Sequence, residues 1–326
     1  MSNDLLKIIS KEYNDLLETG EFSDVEILVG EESNPKMLYL HSCILKLRSK
    51  YFRTLLTGNR IKTKNNIIKL QCPGISVKIY EILIKYIYCG LIDLASKDTR
   101  TNITILIGAY ELCLTELCDY VEDHLLQDKI SLIQNFVLVQ NVVFQHNHFK
   151  KLTQFYENTF QQDPSLIFKA DDFTTIKHDI LLDLLIKDTH SLETIEVWDK
   201  LIEWSVAQSN GLLPSDATTW SADNISTFGN LIQPFISHIN FKAMNPSDFH
   251  QKIKPFKKIF DKDRYIEILE YYSFKSFKTY SHSQQSKRGF VLTELIKLSQ
   301  LCKKIKSTDF SMYNYDLLVL ELEMDR

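Results

Sequence analysis

Glycine and proline are scarce in this chain, 9 and 7 in 326 residues. So few turn formers leave little material for the many tight turns of an all-β protein, and the sequence predicts a mainly helical one. Its length is about twice that of a usual domain, so two hydrophobic cores are expected. The six cysteines, at 43, 72, 89, 113, 118 and 302, form no Cys-x-x-Cys pair and show no regular spacing. Most lie in apolar stretches, which predicts reduced core thiols rather than a disulfide or metal framework. A Gly-rich phosphate loop, a Gly-x-Ser-x-Gly elbow and a His-Glu-x-x-His helix are all absent. A non-enzymatic protein without cofactor or metal is the expectation. No apolar run approaches the roughly 20 residues that span a bilayer, and the N-terminal stretch carries acidic residues with no small-residue cleavage site. An intracellular address, cytoplasmic or nuclear, is expected. The net charge of −4 draws the chain neither to nucleic acid nor to an anionic membrane.

What is present is periodicity. Leu5, Leu6, Ile9, Tyr13, Leu16 and Leu17 recur at helical spacing over residues 5 to 17, a single apolar stripe on a charged segment that needs something to pack on. "FSDVEILVG" alternates as a half-buried strand through Val25, Ile27 and Val29, and "NPKMLYLHS" reads as its hairpin partner with a turn near Asn34 and Pro35. "SVKIYEILIKYIYCG" places Ile79, Ile82, Leu83, Tyr86 and Ile87 on one helical face, with Gly90 where a helix would end. A short strand "LIDLA" and a helix "NITILIGAYELC" follow. The strand signal fades after residue 125, which puts a domain boundary near Asp128. Beyond it, "LIQNFVLVQNVVF", "FKKLTQFYENTF", "HDILLDLLI" and "LETIEVWDKLIEWSVAQ" read as successive helices, with Trp198 and Trp204 as core residues and Gly211 past a helix end. Residues 276 to 289 read as a linker, and the tail holds one helix pattern, "FVLTELIKLSQLCKKI", and a strand-like run, "YDLLVLELE".

Polar clusters read blandly. On a helix, His146 and His148 would point to different faces and share no metal, leaving a solvated pair. "ADD" at 170 to 172 and "DKD" at 261 to 263 lack the further oxygens of a calcium loop and read as helix-start or surface acids. "KIKPFKKIFDKDR", residues 252 to 264, is the densest basic run; Phe256 and Phe260, four apart, suit one buried helical face with the lysines solvated.

Four motifs in order, "FSDVEILVG", "LYLHSCILKLRSKYFRTLL", "IYEILIKYIYCGLIDL" and "LIGAYELCLTELCDYVEDHL", resemble the BTB/POZ domain over residues 1 to 127. The helices carrying "IEVWDKLIEW" and "LIQPFISHINFKAMNPSDF" are similar to the BACK domain, over residues 128 to 275, leaving 276 to 326 as linker and short tail. The resemblance implies an α+β N-terminal domain followed by an all-α domain, no catalytic residue, and a homodimer with the leading helix exchanged across a two-fold axis. It assigns dimerisation to Leu5, Leu6, Ile9, Tyr13, Leu16 and Asp24. It also implies a substrate adaptor that holds a cullin scaffold in a ubiquitin ligase, the substrate protein being unspecified. The alternative is a dimeric scaffold or transcriptional co-regulator acting through the BTB groove without a ligase.

The same resemblance sets the cullin-facing candidates at Leu55, Leu56, Arg60, Ile61, Lys62 and Leu112. Where cullin-binding relatives present a hydrophobic-x-Glu motif, this chain reads Arg60-Ile61-Lys62. A reversed charge at such a contact weakens it. Asp24 matches the family acid before the first strand, and His41 the histidine of its Leu-His-Ser motif. Ser42 stands where many relatives carry Arg or Lys, and His41 reads best as a satisfied buried imidazole.

Overall fold

The computed structural model describes residues 2–30, 35–57, 63–64, 67–72, 74–187 and 191–283, with the backbone alone for 2–4, 63–64 and 273–283. The chain divides into two compact units, Met1–Ile176 and Lys177–Arg326.

The first unit opens with helix α1 (Ser2–Thr19), then strands β1 (Val25–Val29) and β2 (Lys36–Leu40), and helices α2 (Ser42–Arg48) and α3 (Lys50–Thr57). Strands β3 (Thr63–Lys64) and β4 (Ile67–Cys72) complete a four-stranded sheet of order β2-β1-β4-β3. β2 runs antiparallel to β1 with Ile27 opposite Leu38, and β4 runs parallel to β1 with Ile27 opposite Leu70. Alternation decides which face is buried: Val25, Ile27 and Val29 are fully enclosed, while Glu26 faces outward and pairs with Lys69 at 2.6 Å.

Helices α4 (Val77–Cys89), α5 (Thr99–Glu111), α6 (Thr115–Leu125), α7 (Lys129–Gln134), α8 (Phe136–Gln145), α9 (Lys150–Gln162) and α10 (Leu166–Lys169) follow in the same unit. α4 buries Ile79, Tyr80, Leu83, Ile84, Ile87 and Tyr88 and ends on Gly90. The expected strand "LIDLA" does not form: residues 91–94 are irregular, and Leu94 enters the core from a loop. No described strand lies alongside to supply a ladder, so the apolar side chains are buried without one.

"LIQNFVLVQNVVF" also departs from expectation, breaking at Asn135 into α7 and α8. The cause is Asp172, whose carboxylate accepts the Val137 N–H at 3.1 Å and the Leu138 N–H at 2.8 Å and so supplies the start of a new helix. Far from being a surface acid, Asp172 is buried, and burial pushes its carboxyl above the ordinary range despite those two bonds. Glu122 does the same for α9, accepting the Leu152 N–H at 3.0 Å, and burial likewise raises it. The composition boundary near Asp128 falls at the N-cap of α7, inside the first unit.

The second unit contains α11 (His178–Lys187), α12 (Thr194–Gln208), α13 (Ala222–Ile236), the single turn α14 (Pro246–Asp248) and α15 (Lys262–Ser283). A reciprocal pair of side-chain to backbone bonds between Glu193 and Glu196 opens α12, and Ser221 with Asn224 does so for α13. Trp198 is fully buried, edge-on to Phe228, Phe241 and Phe256 at 5.5, 5.9 and 5.5 Å. Trp204 packs against Phe235 at 5.5 Å.

The basic run 252–264 differs in path but not in burial. Phe256 and Phe260 are both buried, yet a π turn (Phe249–Ile253) passes into a 3-10 turn (Lys254–Ile259) kinked at Phe256, and Phe260 follows its end. Pro255, lacking an N–H, bars a regular α-helix there. α15 continues to Ser283, through the first half of the expected linker. The two tail patterns lie outside the described residues. The cysteine expectation is corrected as well: Cys118 is buried, Cys72 and Cys89 are half-buried, and Cys43 and Cys113 are exposed. Cys302 lies outside the described residues.

Candidate interaction surface

α1 attaches to the body of its unit along one edge. The Ser10 hydroxyl donates to the Cys89 carbonyl at 2.9 Å, at the end of α4, and Leu16 and Leu17 are half-buried. The adjoining face is bare: Leu5, Leu6, Ile8, Ile9 and Tyr13 are between 40 and 64 % exposed. Five large apolar side chains on three helical turns make a continuous patch of the kind soluble monomers rarely leave uncovered. Four of the dimerisation candidates, Leu5, Leu6, Ile9 and Tyr13, are therefore brought together, and Leu16 borders them. Ile8 belongs to the same surface and was missed because it lies at the edge of the stripe.

Asp24 has a different employment. Its carboxylate accepts the Ser42 N–H at 2.7 Å and the Ser42 hydroxyl at 2.6 Å, so both oxygens serve the first turn of α2. Ser42 thus gives the Asp24 carboxylate two hydrogen-bond donors where a basic residue would have made an ion pair.

Next to it His41 is buried and satisfied. Its backbone N–H donates to the Tyr88 hydroxyl at 2.8 Å, its Nδ1 lies 2.8 Å from the same hydroxyl, and its Nε2 lies 2.6 Å from the Glu21 carbonyl. A carbonyl only accepts, so Nε2 donates to Glu21, while the Tyr88 hydroxyl accepts from the His41 backbone N–H and shares a hydrogen bond with Nδ1. Burial pushes the Tyr88 phenol well above its ordinary value, so it keeps the proton this relay uses. Nothing in the sequence pattern singled out Tyr88, which lay off the apolar face expected for α4, yet it is buried.

Between α1 and β1 the chain turns sharply. Gly20 and Phe22 both have positive φ, 65° and 61°, and the Phe22 ring is 88 % exposed. Nearby, Met37 and Tyr39 on β2 are exposed too.

The other candidate surface is less available. Leu56 and Leu112 are buried, 5 % and 2 % exposed, and offer no side chain to a partner; Leu55 is half-buried. The buried pair sits under α3 and at the end of α5, where the amphipathic pattern of each helix turns inward. Arg60, Ile61 and Lys62 lie outside the described residues.

His146 and His148 do not lie two apart on a helix. They flank the turn between α8 and α9 and both pack against Tyr110, with ring centroids 5.7 and 4.8 Å away. Among the described residues no group of three His, Cys, Asp or Glu side chains comes together to hold a metal, and no helix is long and apolar enough to cross a membrane.

Comparison with known proteins locates the first unit. Residues 13–129 match the family model described as the BTB/POZ domain. The chain is 23 % identical over 254 residues to "BTB/POZ domain-containing protein 9" of Drosophila melanogaster, covering 77 % of this chain and 30 % of that protein. It is 24 % identical over 197 residues to human "BTB/POZ domain-containing protein 3", covering 59 % and 34 %. It is 28 % identical over 192 residues to "BTB and MATH domain-containing protein 41" of Caenorhabditis elegans, covering 58 % and 38 %. The chain thus spans about a third of the length of these curated relatives. Among solved structures, the BTB domain of human Gigaxonin matches with 25 % identity and a TM-score of 0.28, over 34 % of this chain and 86 % of that one. The BTB domain of zebrafish PATZ1 matches with 19 % identity and a TM-score of 0.29, over 39 % and 92 %.

Proposed function

Residues 13–129 being a BTB/POZ domain, we propose that this protein is a non-catalytic protein–protein interaction module that forms a homodimer through the exposed face of α1. The observation that carries the reading is the bare apolar patch of Leu5, Leu6, Ile8, Ile9 and Tyr13 on a helix already tethered along its other edge. A patch of that kind is removed from water most economically by an identical patch about a two-fold axis. In this reading residues 1–127 dimerise, and the helices of residues 128–275 serve as a BACK-like arm that holds a further protein, making the dimer an adaptor. Light scattering on the full chain tests it. A particle of twice the 38.1 kDa chain mass is expected, and a monomer at about 50 micromolar overturns the reading.

Two observations favour a dimeric scaffold over a cullin adaptor. Leu56 and Leu112 are withdrawn into the core, and Lys62 stands in the sequence where a carboxylate would meet the scaffold. Wild-type protein titrated against a cullin N-terminal domain is expected to bind weakly or not at all. Lys62→Glu should recover about 1–3 kcal/mol. Tight binding by the wild type would restore the ligase adaptor to first place.

A further inference from the structure

We propose that His41 and Tyr88 are positioning residues for the α1 docking face: their relay grips the turn between α1 and β1 and so sets the direction in which the apolar stripe is presented. This rests on the reading of α1 as the self-association surface, and it adds residues that touch no partner.

The turn has little else to hold it. Glu21 and Phe22 are both exposed, and Ser23 is half-buried, so packing contributes little between Gly20 and Asp24. Its backbone bonds are local or lie at its ends: Gly20 N–H to the Leu16 carbonyl at 3.1 Å, Glu21 N–H to the Thr19 hydroxyl at 3.4 Å, Ser23 N–H to the Gly20 carbonyl at 3.2 Å, Asp24 N–H to the Leu40 carbonyl at 3.1 Å, and Ile68 N–H to the Asp24 carbonyl at 2.9 Å. None of these fixes the middle of the turn against the body of the domain. The His41 bond to the Glu21 carbonyl does, and at 2.6 Å it is short. It is also directional, because His41 is itself held at two points by one Tyr88 hydroxyl. The chain of bonds therefore runs from α4, through the imidazole, to the carbonyl next to Phe22.

Phe22 gives independent evidence that the turn is gripped. A non-glycine residue at φ 61° holds a conformation its side chain disfavours, and here no burial of the ring compensates. Something outside the residue must hold the backbone there, and the anchored carbonyl immediately before it does so. Released from that anchor, the turn relaxes and α1 pivots about its packed edge along α4. Two copies meeting about a two-fold axis need the same helix angle in each, so a pivot weakens association even though every contact residue remains.

The test uses the full chain and two readouts, the dimer dissociation constant by sedimentation equilibrium and the hydrogen exchange of α1 amides. His41→Ala and Tyr88→Phe are expected to raise the dissociation constant about tenfold, with faster exchange through α1. His41→Gln, whose amide can still donate to the Glu21 carbonyl, should return it to within about threefold of wild type. Ile79→Val, a core change on α4, is the control for lost stability and should leave association unchanged. If His41→Ala lowers the thermal midpoint but leaves the dissociation constant and α1 exchange at wild-type values, the pair only fills the core and the proposal fails. If the wild type does not associate at all, the α1 docking reading fails by itself. The grip is then judged by exchange alone: faster α1 exchange in His41→Ala than in Ile79→Val supports it, and equal rates refute it.

Discussion

Replacing Trp198 with alanine is expected to cost the second unit about 3–5 kcal/mol, the usual range for deleting a fully buried large aromatic. The indole is completely enclosed and makes edge contacts with Phe228, Phe241 and Phe256, which come from three different segments, so the void left behind cannot close by moving one side chain. For a unit with about 100 described residues, each kcal/mol shifts the midpoint by roughly 4–8 °C, so a fall of about 12–40 °C follows. Trp198→Phe should behave differently. Shrinking the ring gives up about 2 kcal/mol of burial at roughly 0.8 kcal/mol per carbon, but the indole N–H it removes is buried without a hydrogen-bond partner. Removing such a group returns about 1–3 kcal/mol, so the phenylalanine variant should lie near wild type. The assay is equilibrium denaturation followed by tryptophan fluorescence, because all 3 tryptophans, Trp198, Trp204 and Trp220, fall in the second unit and the signal isolates it. A cost below about 1 kcal/mol for Trp198→Ala would refute the packing argument. Phenylalanine as damaging as alanine would refute the reasoning about the unpaired N–H.

Further outcomes can be checked on the same protein. Gly229→Ala places a methyl group 2.9 Å from Ile259 Cγ2 and 3.3 Å from its Cβ, and should cost about 1–3 kcal/mol by the same fluorescence assay; no loss would mean that α13 and the 3-10 turn carrying Ile259 separate freely. Phe22→Gly removes the penalty of a positive φ and should stabilise the first unit by about 1 kcal/mol in calorimetry, whereas a loss would mean that the exposed ring has a packing role. Burial raises Glu122 in the folded state, so its contribution to stability is full below the ordinary glutamate range and is lost as pH rises through the higher folded value. The thermal midpoint of wild type relative to Glu122→Gln should accordingly decline as pH rises out of that range, and parallel curves would contradict this.

How much of this was legible beforehand depended on whether the signal was local. Alternation in "VEILV" gave β1 and its buried face directly, and the 3.6-residue period of "VKIYEILIKYIYC" gave α4, although its buried face takes in Tyr80, Ile84 and Tyr88 while the expected Ile82 and Tyr86 are only half-buried. The stripe on α1 was equally visible, and its exposure follows from the same pattern. What failed was set at a distance. Asp172 breaks a helix 35 residues earlier in the chain, at Val137, so no reading of "LIQNFVLVQNVVF" by itself could find the break. The apolar content of "LIDLA" was real, but a strand also needs a neighbour, and periodicity does not report neighbours. Leu56 and Leu112 were assigned by alignment to a surface that folding turned inward. The His41 relay was half legible: the histidine sat in a recognisable motif, while Tyr88, 47 residues away, entered only through the packing of α4 over the start of α2.

The central claim is that the bare face of α1 brings two copies together, and sedimentation equilibrium of the full chain beside its Leu6→Asp/Ile9→Asp variant tests it most directly. Both side chains are exposed, at 60 % and 48 %, so their replacement should not disturb the core, and the variant's circular dichroism should match wild type while its thermal midpoint falls only by the stabilisation that association supplies. The account predicts a wild-type dimer and a folded, monomeric variant, because two buried carboxylates per chain without partners cost several kcal/mol at an apolar interface. A wild type that sediments as a monomer, or a variant that dimerises as tightly as wild type, would contradict it.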